Sequence, residues 1–251
     1  MNTVLITGAT RNAGYGMAKL FAERGWAVIV TSKNPESVEK AVEQLKKETG
    51  GVVIGFAHDV RQTEKVDQLV NQVLATGYIP NSIVLNGAML GINVDPLTVP
   101  IEEWAEVLQC NVIGNFAVAR AFAKIMVEKG IKGSLVFLGS VNYQDCNAGR
   151  SSYNTSKGAI LSLTKSLAVD LGKFGIKSNC LMPGPIYTDR YDKLTEEEKA
   201  RRNASLPIGR VSTIEEVAKG VYFLASDESG NMTGSGVVLD GGMDCLNSGG
   251  Y

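Results

Sequence analysis

The chain has 251 residues, and its 25 Lys and Arg against 26 Asp and Glu give a formal net charge of −1. This balance argues against a surface that binds nucleic acid or anionic membranes. The length suits one α/β domain with a sizeable core, or two small domains. No uninterrupted apolar run approaches the roughly 18 residues of a membrane helix. The N-terminus enters a predicted strand without a basic flank, so we expect no signal peptide and no membrane partner.

The cysteines and the histidine narrow the chemistry further. Cys110, Cys146, Cys180 and Cys245 show no paired metal-ligand spacing, so we expect no metal site and reduced thiols in a cytoplasmic protein. His58 is the single histidine, which leaves no room for a Ser-His-Asp triad anchored elsewhere. We interpret His58 as a structural residue at a strand end.

Short apolar runs alternate with helical patterns along the whole chain. The runs that predict strands are Val4–Thr7, Ala27–Thr31, Val52–Ala57, Ser82–Asn86, Leu135–Gly139, Lys177–Leu181 and Val237–Asp240. The helical patterns lie near Gly14–Arg24, Pro35–Glu48, Gln62–Leu74, Ile101–Glu128, Ser152–Phe174 and Ile214–Ala225. This alternation is typical of parallel strands with helices on both faces. No repeat or linker interrupts it, so we predict one α/β domain over residues 1–251, with a doubly wound seven-stranded parallel sheet.

The first predicted strand runs into a glycine-rich turn, Thr7–Gly16. A turn of this kind between a strand and a helix lets the backbone approach a pyrophosphate, which the helix N-terminus favours. We expect Gly8 to make the tight turn, Gly14 to admit the close approach, and Gly16 to serve helix packing. An ordinary tight turn remains the alternative, because the spacing differs from the common G-x-G-x-x-G.

The end of the second predicted strand suggests which nicotinamide cofactor would bind. An NAD site of this kind usually carries Asp or Glu here to bind the ribose 2′-hydroxyl. This strand end has no acid and offers Ser32 and Lys33 instead, while Arg11 lies in the first turn. Two cations could each add a charge-assisted contact to a 2′-phosphate, so we predict that NADP(H) is preferred over NAD(H). For Lys33, a solvated side chain is the alternative.

Two more strand ends carry residues that suit a nucleotide. Asp59 could accept a hydrogen bond from an adenine amino group, or it could cap the helix that begins near Gln62. Asn86, Gly87 and Ala88 form a turn of small residues that could pass close to a cofactor.

The stretch Ser140–Lys157 holds the candidate catalytic residues. Ser140 should lie at the end of a buried strand, while Tyr153 and Lys157 are four residues apart at the start of a helix and share one face. A neighbouring cation favours the ionised form of a phenol, so the tyrosine could exchange a proton with a substrate oxygen. A surface Tyr and Lys pair is the alternative. Asn111 is a poor mid-helix residue, and we expect it to mark a kink whose freed groups hold a water.

Taken together, these residues resemble the short-chain dehydrogenase/reductases, single-domain branch, over essentially the whole chain. The motifs are Thr7–Gly16, Asp59, Asn86-Gly-Ala, Asn111, Ser140, Tyr153-x-x-x-Lys157, Pro183-Gly184, Pro207-Ile-Gly-Arg210, Phe223-Leu-Ala-Ser226 and Asp240-Gly-Gly242. The resemblance implies a Rossmann-type fold and four catalytic roles. Ser140 would position the substrate oxygen, Tyr153 would be the acid/base, Lys157 would hold the nicotinamide ribose and activate the tyrosine, and Asn111 would anchor a proton-relay water.

The resemblance also implies that the segment after Pro183-Gly184 closes over the nicotinamide. The cofactor-binding residues predicted in this way are Gly8, Thr10, Arg11, Asn12, Gly14, Ser32, Lys33, Asp59, Val60, Asn86, Gly87, Ala88, Tyr153, Lys157, Pro183, Gly184, Ile186 and Thr188.

The chain departs from the family pattern in two places. Asn12 stands where the family has its middle glycine, and since Asn tolerates a left-handed φ the turn can survive. The Asn12 side chain could then contact the phosphates. Gly87 replaces the second asparagine of the usual Asn-Asn-Ala-Gly, and Met89 replaces its final glycine. Met89 is therefore a candidate wall of the substrate pocket.

The predicted activity is hydride transfer between NADP(H) and a secondary alcohol or ketone. The stretch 142–150 is rich in polar side chains, and Tyr187, Asp189 and Arg190 follow in the closing segment. A pocket with many donors and acceptors rejects an apolar substrate, so we expect a small polar one, unless these side chains face solvent or bond within the loop. The candidate substrate residues are Met89, Asn142, Gln144, Asn147 and Tyr187.

Two other functions and an assembly are compatible with the sequence. The scaffold also supports reduction of a 3-oxoacyl group on a carrier protein, which would need a basic docking patch beside the pocket. Candidates for that patch are Arg120, Lys124, Lys129 and Lys132, although a solvated helix end explains them equally well. An NADP-binding sensor or structural protein with little turnover is an alternative of another class. The resemblance implies a homotetramer built from the Glu215–Ala225 helix and the Val237–Asp240 strand.

Overall fold

The computed structural model describes residues 1–246. Its strands are β1 (Thr3–Thr7), β2 (Ala27–Ser32), β3 (Val53–Ala57), β4 (Ser82–Leu85), β5 (Gly133–Leu138), β6 (Ile176–Pro183) and β7 (Gly236–Leu239). They form one sheet in the order β3-β2-β1-β4-β5-β6-β7, and each neighbouring pair is parallel. The predicted doubly wound, seven-stranded parallel sheet is confirmed.

The helices connect the strands and cover both faces of the sheet. They are α1 (Asn12–Glu23), α2 (Pro35–Thr49), α3 (Val66–Ala75), α4 (Ile101–Leu108), α5 (Asn115–Glu128), α6 (Ser151–Leu171), α7 (Asp189–Asp192), α8 (Glu196–Ala204) and α9 (Ile214–Ala225). Helices α1, α2 and α9 contribute to the apolar core on one face, where Phe21, Leu45 and Val221 are fully buried. Helices α3, α5 and α6 contribute to the core on the other face.

Local sequence signals explain where several helices begin and end. Asn34 caps α2 by accepting a hydrogen bond from the Ser37 amide at 3.0 Å, and Pro35 takes the first helical position, where its missing N–H costs nothing. Gly16 lets α1 approach α9, because a Cβ at this position would lie 2.2 Å from Ile214 Cγ2. The packing role predicted for Gly16 is therefore confirmed.

The predicted helix Ile101–Glu128 is interrupted. A π-helical turn, Gln109–Gly114, separates α4 from α5, so the kink predicted at Asn111 is confirmed. At the end of this turn, the backbone passes close to the chain that follows β3 and leaves no room for a side chain. A Cβ at Gly114 would lie 2.2 Å from the carbonyl oxygen of Val60.

The same stretch, Ile101–Glu128, has the length and composition of a membrane-spanning helix. Of its most apolar 18-residue window, 56% is buried inside the protein. Its apolar face includes Val118, Phe122 and Met126, which lie in the core beneath the sheet. Burial in the core thus accounts for its apolar character, as it does for core helices generally.

Helices α7 and α8 were not predicted. The charged sequence of α8 shows no apolar stripe, and no α8 residue is buried. Its capping box, in which Thr195 and Glu198 bond each other's backbone amides, was the available signal. A small apolar cluster of Tyr191, Leu206 and Val211 supports this segment, and only the tertiary structure brings these residues together.

Candidate active site

The candidate site lies at the carboxyl edge of the sheet, between β1 and β4. The chain leaves β1 towards β2 on one side and later continues from β4 towards β5 on the other. In open α/β sheets, ligands bind in the crevice at such a switch point. A cleft of about 650 Å³ opens there, lined by the glycine-rich turn and by the ends of β2, β3 and β4. The candidate cofactor residues from the first half of the chain all line it.

The glycine-rich turn is compact because its own backbone folds back closely. Gly8 has a φ of +64°, which the tight turn requires and which glycine adopts without strain. A Cβ at Gly14 would lie 2.2 Å from the carbonyl oxygen of Gly8. Gly14 is thus required by the packing of α1 against its own turn, and its predicted approach to a pyrophosphate stays a prediction.

Asn86 joins the end of β4 to this turn. Its Nδ2 donates to the carbonyl oxygens of Thr7 and Gly8, both at 3.0 Å. In the reverse direction, Thr7 Oγ1 accepts from the amides of Asn86 at 3.0 Å and Gly87 at 2.9 Å. The Asn86 and Thr7 side chains therefore fix the end of β4 against the glycine-rich turn.

Asn12 adopts the left-handed conformation that its glycine counterpart in the family would permit. Its φ is +47°, and it is the single non-glycine residue with positive φ among residues 1–246. Asn12 Oδ1 accepts a hydrogen bond from the Asp189 amide at 3.4 Å. The glycine-rich turn thereby touches the start of α7, a contact that spacing in the sequence gave no reason to expect.

The residues predicted to select the cofactor lie together at one end of the cleft. Thr10, Arg11, Ser32 and Lys33 all line it, and Thr10 Oγ1 donates to Ser32 Oγ at 3.4 Å. Arg11 and Lys33 are exposed, and neither belongs to an ion pair within residues 1–246. Both cations are thus available to an anion.

Asp59 is engaged by Arg61, which sequence reasoning missed. The carboxylate accepts from Arg61 Nε at 3.0 and 3.1 Å and from the Arg61 amide at 3.1 Å. These bonds lower the pKa of Asp59 below its ordinary value. Asp59 does not cap a helix, because the following 3-10 turn begins at Thr63 with Gln62 as its N-cap. The Asp-x-Arg spacing at a strand end was the missed signal.

His58 and Val60 flank Asp59 in the chain. His58 follows β3 directly and is buried, and burial lowers its pKa below the ordinary value. A neutral, buried imidazole agrees with the structural interpretation of His58. Val60 lines the cleft, where its predicted contact with the cofactor stays a prediction.

Asn111 connects the π-helical turn to the loop after β4. Its Oδ1 accepts from the Met89 amide at 2.7 Å, and its Nδ2 donates to the Met89 carbonyl at 2.8 Å and to Ser156 Oγ at 3.0 Å. Its own carbonyl accepts from Asn115 Nδ2 at 3.0 Å. The side-chain amide of Asn111 is therefore committed to the protein, and the proton-relay water predicted for Asn111 stays a prediction.

The loop Met89–Ile92 is tied down by two further side chains that sequence reasoning did not place here. Arg150 Nη1 donates to the carbonyls of Leu90 at 3.2 Å and Gly91 at 2.6 Å. Glu103 Oε1 accepts from the Ile92 amide at 2.8 Å. Arg150 immediately precedes α6, so this loop is fastened to the start of the helix that carries Tyr153.

Tyr153 and Lys157 share one face of α6, as predicted. Lys157 Nζ lies 5.4 Å from the centre of the Tyr153 ring and donates to the Leu138 carbonyl at 2.7 Å. Lys157 is buried and Tyr153 is half-buried. Ser140 follows the last residues of β5, and its Oγ donates to Asn142 Oδ1 at 2.9 Å. The structure thus brings these candidates together where β5 ends and α6 begins.

The polar loop 142–150 uses part of its hydrogen-bonding capacity on itself. Asn142 Nδ2 donates to the Asp145 carbonyl at 2.9 Å, while Asn142 Oδ1 accepts from Ser140. Arg150 is committed to the neighbouring loop. Gln144 and Asn147 are exposed and are not among the residues that line the cleft, so their predicted contacts with a substrate stay predictions.

The segment after β6 lies over the other side of the cleft. The Tyr187 amide donates to the Ser212 carbonyl at 2.8 Å, and the Ser212 amide donates to the Pro185 carbonyl at 3.0 Å. Ile186 forms an isolated bridge with the same serine. Tyr187 Oη donates to Asp192 Oδ1 at 2.5 Å, which raises the pKa of Tyr187 and leaves its ring 44% exposed.

Three residues of this segment have backbone roles. Pro183 ends β6, and a Cβ at Gly184 would lie 2.7 Å from Asp240 Cβ. Thr188 precedes α7 and accepts from the Tyr191 amide at 2.7 Å. Their predicted contacts with a cofactor stay predictions.

Two of the four basic residues considered for carrier docking, Lys129 and Lys132, lie away from the cleft, and the docking role of the set stays a prediction. Helix α5 runs from the carboxyl edge of the sheet back to its amino edge. Lys129 and Lys132 follow it, and Lys132 lines a separate cavity with Gly133 and Ile176, where β5 and β6 begin. Lys124 lies 3.8 Å from Glu128 in an exposed ion pair.

Residues 1–246 contain no group of three or more His, Cys, Asp or Glu side chains that could hold a metal ion. The expected absence of a metal site stays a prediction.

Comparison with known proteins identifies the family. A family model described as Enoyl-(Acyl carrier protein) reductase matches residues 8–244. The chain is 34% identical over 241 residues to the 3-oxoacyl-(acyl-carrier-protein) reductase FabG of Chlamydia muridarum (strain MoPn / Nigg), covering 95% of this chain and 96% of that protein. It is 29% identical over 242 residues to Glucose 1-dehydrogenase 2 of Bacillus subtilis (strain 168), covering 96% and 94%.

A solved structure supports the same assignment. The crystal structure of a short-chain type dehydrogenase/reductase from Mycobacterium marinum matches with a TM-score of 0.88 at 30% identity, covering 98% of this chain and 96% of that one. The chain therefore belongs to the short-chain dehydrogenase/reductase family of oxidoreductases.

Proposed function

We propose that the protein transfers a hydride reversibly between NADP(H) and a secondary alcohol or ketone, and that its substrate is small and polar. The observation that carries the proposal is the Tyr153 and Lys157 pair on α6, beside the cleft at the switch point. Ser152, next to Tyr153, lies 3.2 Å from the position of a Cβ at Gly91, which lines that cleft. The start of α6 and the cleft thus share a wall.

The residues around this wall have the chemistry that such a reaction needs. A bound nicotinamide would supply or accept the hydride. The Tyr153 hydroxyl would exchange a proton with the substrate oxygen, and the Ser140 hydroxyl, which can rotate, would orient that oxygen. Lys157 uses one of its three donors on Leu138, so two remain for a ribose. A water held at Asn111 would pass the proton onwards.

The proposed preference for NADP(H) is supported by the positive charge around the end of β2. Arg11 and Lys33 line the cleft as exposed cations without an ion-pair partner in the described chain. No carboxylate stands at the end of β2, where an NAD site would need one. Arg–phosphate contacts are charge-assisted and strong, so a 2′-phosphate would add binding energy here that NAD(H) lacks.

A small polar substrate is supported by the exposed amides of Gln144 and Asn147 in the loop that leads to Tyr153. The similarity to a glucose dehydrogenase over nearly the whole chain agrees with such a substrate. Asn142 and Arg150 no longer contribute to this expectation, because their side chains bond within the protein. A polyol, sugar or hydroxy acid is the class we propose.

Reduction of a 3-oxoacyl thioester is the second candidate. It is favoured by the 34% identity to a 3-oxoacyl-(acyl-carrier-protein) reductase over 95% of the chain. Against it, Lys129 and Lys132 lie at the opposite edge of the sheet from the cleft. A thioester substrate would therefore have to dock on other residues.

The deciding experiment is a panel of ketones, sugars and acyl thioesters assayed with NADPH and NADH. The proposal expects kcat/KM for a polyhydroxy ketone to exceed that for an apolar ketone of similar size. A tenfold preference for the apolar ketone would exclude the polar substrate but leave the chemistry of Tyr153 intact. A large preference for the 3-oxoacyl thioester would establish the second candidate, and no turnover with any carbonyl compound would favour a sensor or structural protein.

We further propose a homotetramer and a cytoplasmic location. Strand β7 lies at the edge of the sheet, and Val238 and Phe223 are 39% and 36% exposed. Both residues belong to the elements predicted to make two-fold contacts. The four cysteines are free, as expected in a reducing compartment. A particle of 26.8 kDa in light scattering at micromolar concentration would contradict the tetramer.

A further inference from the structure

Asn12 combines an unusual backbone conformation with a side-chain hydrogen bond to a distant segment. Glycine would adopt its φ of +47° at lower cost, but glycine has no side chain to reach α7. The Asn12 amide reaches across the cleft to the Asp189 amide, which is 177 positions away in sequence. The glycine-rich turn and the closing segment are thus connected by a side chain that borders the cleft.

Arg190, the next residue of α7, lines the same cleft as the turn residues Thr10 to Gly14. It is exposed and forms no ion pair with any residue from 1 to 246. The backbone bonds between Ser212 and residues 185–187 hold the base of this segment. Arg190 therefore borders the same cleft as the turn, with no ion-pair partner in the described chain.

We propose that Arg190 forms the second half of a diphosphate site and that Asn12 holds α7 beside the glycine-rich turn. The turn would hold the cofactor diphosphate from one side, and Arg190 would hold it from the other. The hydrogen bond from the Asp189 amide to Asn12 Oδ1, here called the clasp, would keep α7 in place. The inference rests on the proposed use of a nicotinamide dinucleotide. A diphosphate is the group expected beside a glycine-rich turn and helix N-terminus, and guanidinium groups bind phosphate through paired donors.

This arrangement separates two cationic contacts with different targets. Lys33 follows β2, Arg11 lies in the first turn, and both would bind the 2′-phosphate, which only NADP(H) carries. Arg190 would bind the diphosphate, which NADP(H) and NAD(H) share. Removing Arg190 should therefore weaken both cofactors by the same factor, while removing Lys33 should weaken NADPH alone.

The first experiment measures the dissociation constants of NADPH and NADH by fluorescence titration, without substrate. We expect Arg190→Met to weaken both about tenfold, the scale of one charge-assisted hydrogen bond. Arg190→Lys, the matched control, should recover part of the loss. Lys33→Met should change only the NADPH value.

Three outcomes of this experiment would overturn the role of Arg190. They are unchanged affinity for both cofactors in Arg190→Met, loss of NADPH affinity alone, and a loss in Arg190→Met without any recovery in Arg190→Lys. If wild type binds neither dinucleotide, the proposed function itself fails, and this result is distinguishable from all three.

The second experiment tests the clasp by stopped-flow measurement of NADPH dissociation. Asn12→Gly removes the side chain but suits the left-handed φ, whereas Asn12→Ala removes the side chain and strains the backbone. If Asn12 is a clasp, both variants release NADPH about threefold faster, the scale of one neutral hydrogen bond. Wild-type release in Asn12→Gly with faster release only in Asn12→Ala would show a purely conformational role and overturn the clasp.

Discussion

The two sides of the cleft are built in different ways. On the cofactor side, Asn86, Asn111 and Arg150 bond to the backbone of other chain segments. On the substrate side, Asn142 bonds within its own loop, and Tyr187 bonds to Asp192 five residues later. Side chains that bond over long range fix the cofactor side relative to the sheet, whereas the Asn142 and Tyr187 side chains on the substrate side bond within their own segments.

The difference indicates where the chemistry and the specificity reside. A buried backbone group that loses its partner costs roughly 1–3 kcal/mol, so side chains that satisfy distant backbone groups cannot change without loss of stability. Loops that bond within themselves can change their sequence without disturbing the sheet. We therefore expect substitutions on the cofactor side to affect folding and chemistry, and those on the substrate side to affect substrate choice.

The largest effect is expected where the two sides meet, at Tyr153. Tyr153→Phe should lower kcat by about 10³-fold, within the range of a lost general acid, and leave the NADPH dissociation constant nearly unchanged. Lys157→Met should damage both quantities, because Lys157 would serve the cofactor ribose as well as the tyrosine. Retention of a tenth or more of the wild-type rate in Tyr153→Phe would show that another group donates the proton.

Asn111 offers the sharpest test of long-range against local bonding. Asn111→Leu would leave the Met89 amide and carbonyl without their partners, so the free energy of unfolding should fall by about 3 kcal/mol. Asn147→Leu, on the exposed substrate loop, is the matched control and should change it by less than about 0.5 kcal/mol. If urea denaturation showed equal losses of unfolding free energy in Asn111→Leu and Asn147→Leu, the distinction between the two sides would be wrong.

Cofactor preference is the next largest effect. Wild type should bind NADPH more tightly than NADH, and Lys33→Glu should narrow or reverse that preference, by about tenfold for one charge-assisted contact. The measurement is a pair of dissociation constants for each protein. Equal affinities of wild type for the two cofactors would remove the case for NADP(H).

The smallest effect concerns pH and the Asp59–Arg61 pair. Because Arg61 lowers the pKa of Asp59 in the folded protein, the pair stabilises the fold above the unfolded value near 3.9, and this contribution is lost as pH falls through the lower folded pKa. The pair is partly exposed, so we expect about 1 kcal/mol or less. In urea denaturation between pH 6 and pH 3, Asp59→Asn should show the shallower decline, and a decline as steep as in wild type would assign the acid sensitivity to other carboxylates.

Much of the site could be located from sequence because its residues follow strand ends. Parallel strands bring their carboxyl ends to one edge, so Gly8, Ser32, Asn86 and Ser140 were placed together by counting strands. Arg150 and Glu103 were not placed at the loop after β4, because the bonds they make depend on where α4 and α6 pack. No local pattern reports a contact between a side chain and a distant backbone group.

The sequence by itself determined the sheet, the two layers of helices, the family and the shared face of Tyr153 and Lys157. These features follow from hydrophobic periodicity and short spacings, which act between near neighbours in the chain. Only the tertiary structure decided that Asn12 reaches Asp189 and that Arg190 lines the same cleft as the glycine-rich turn. Each depends on how elements far apart in sequence pack together, and packing is set by the whole chain.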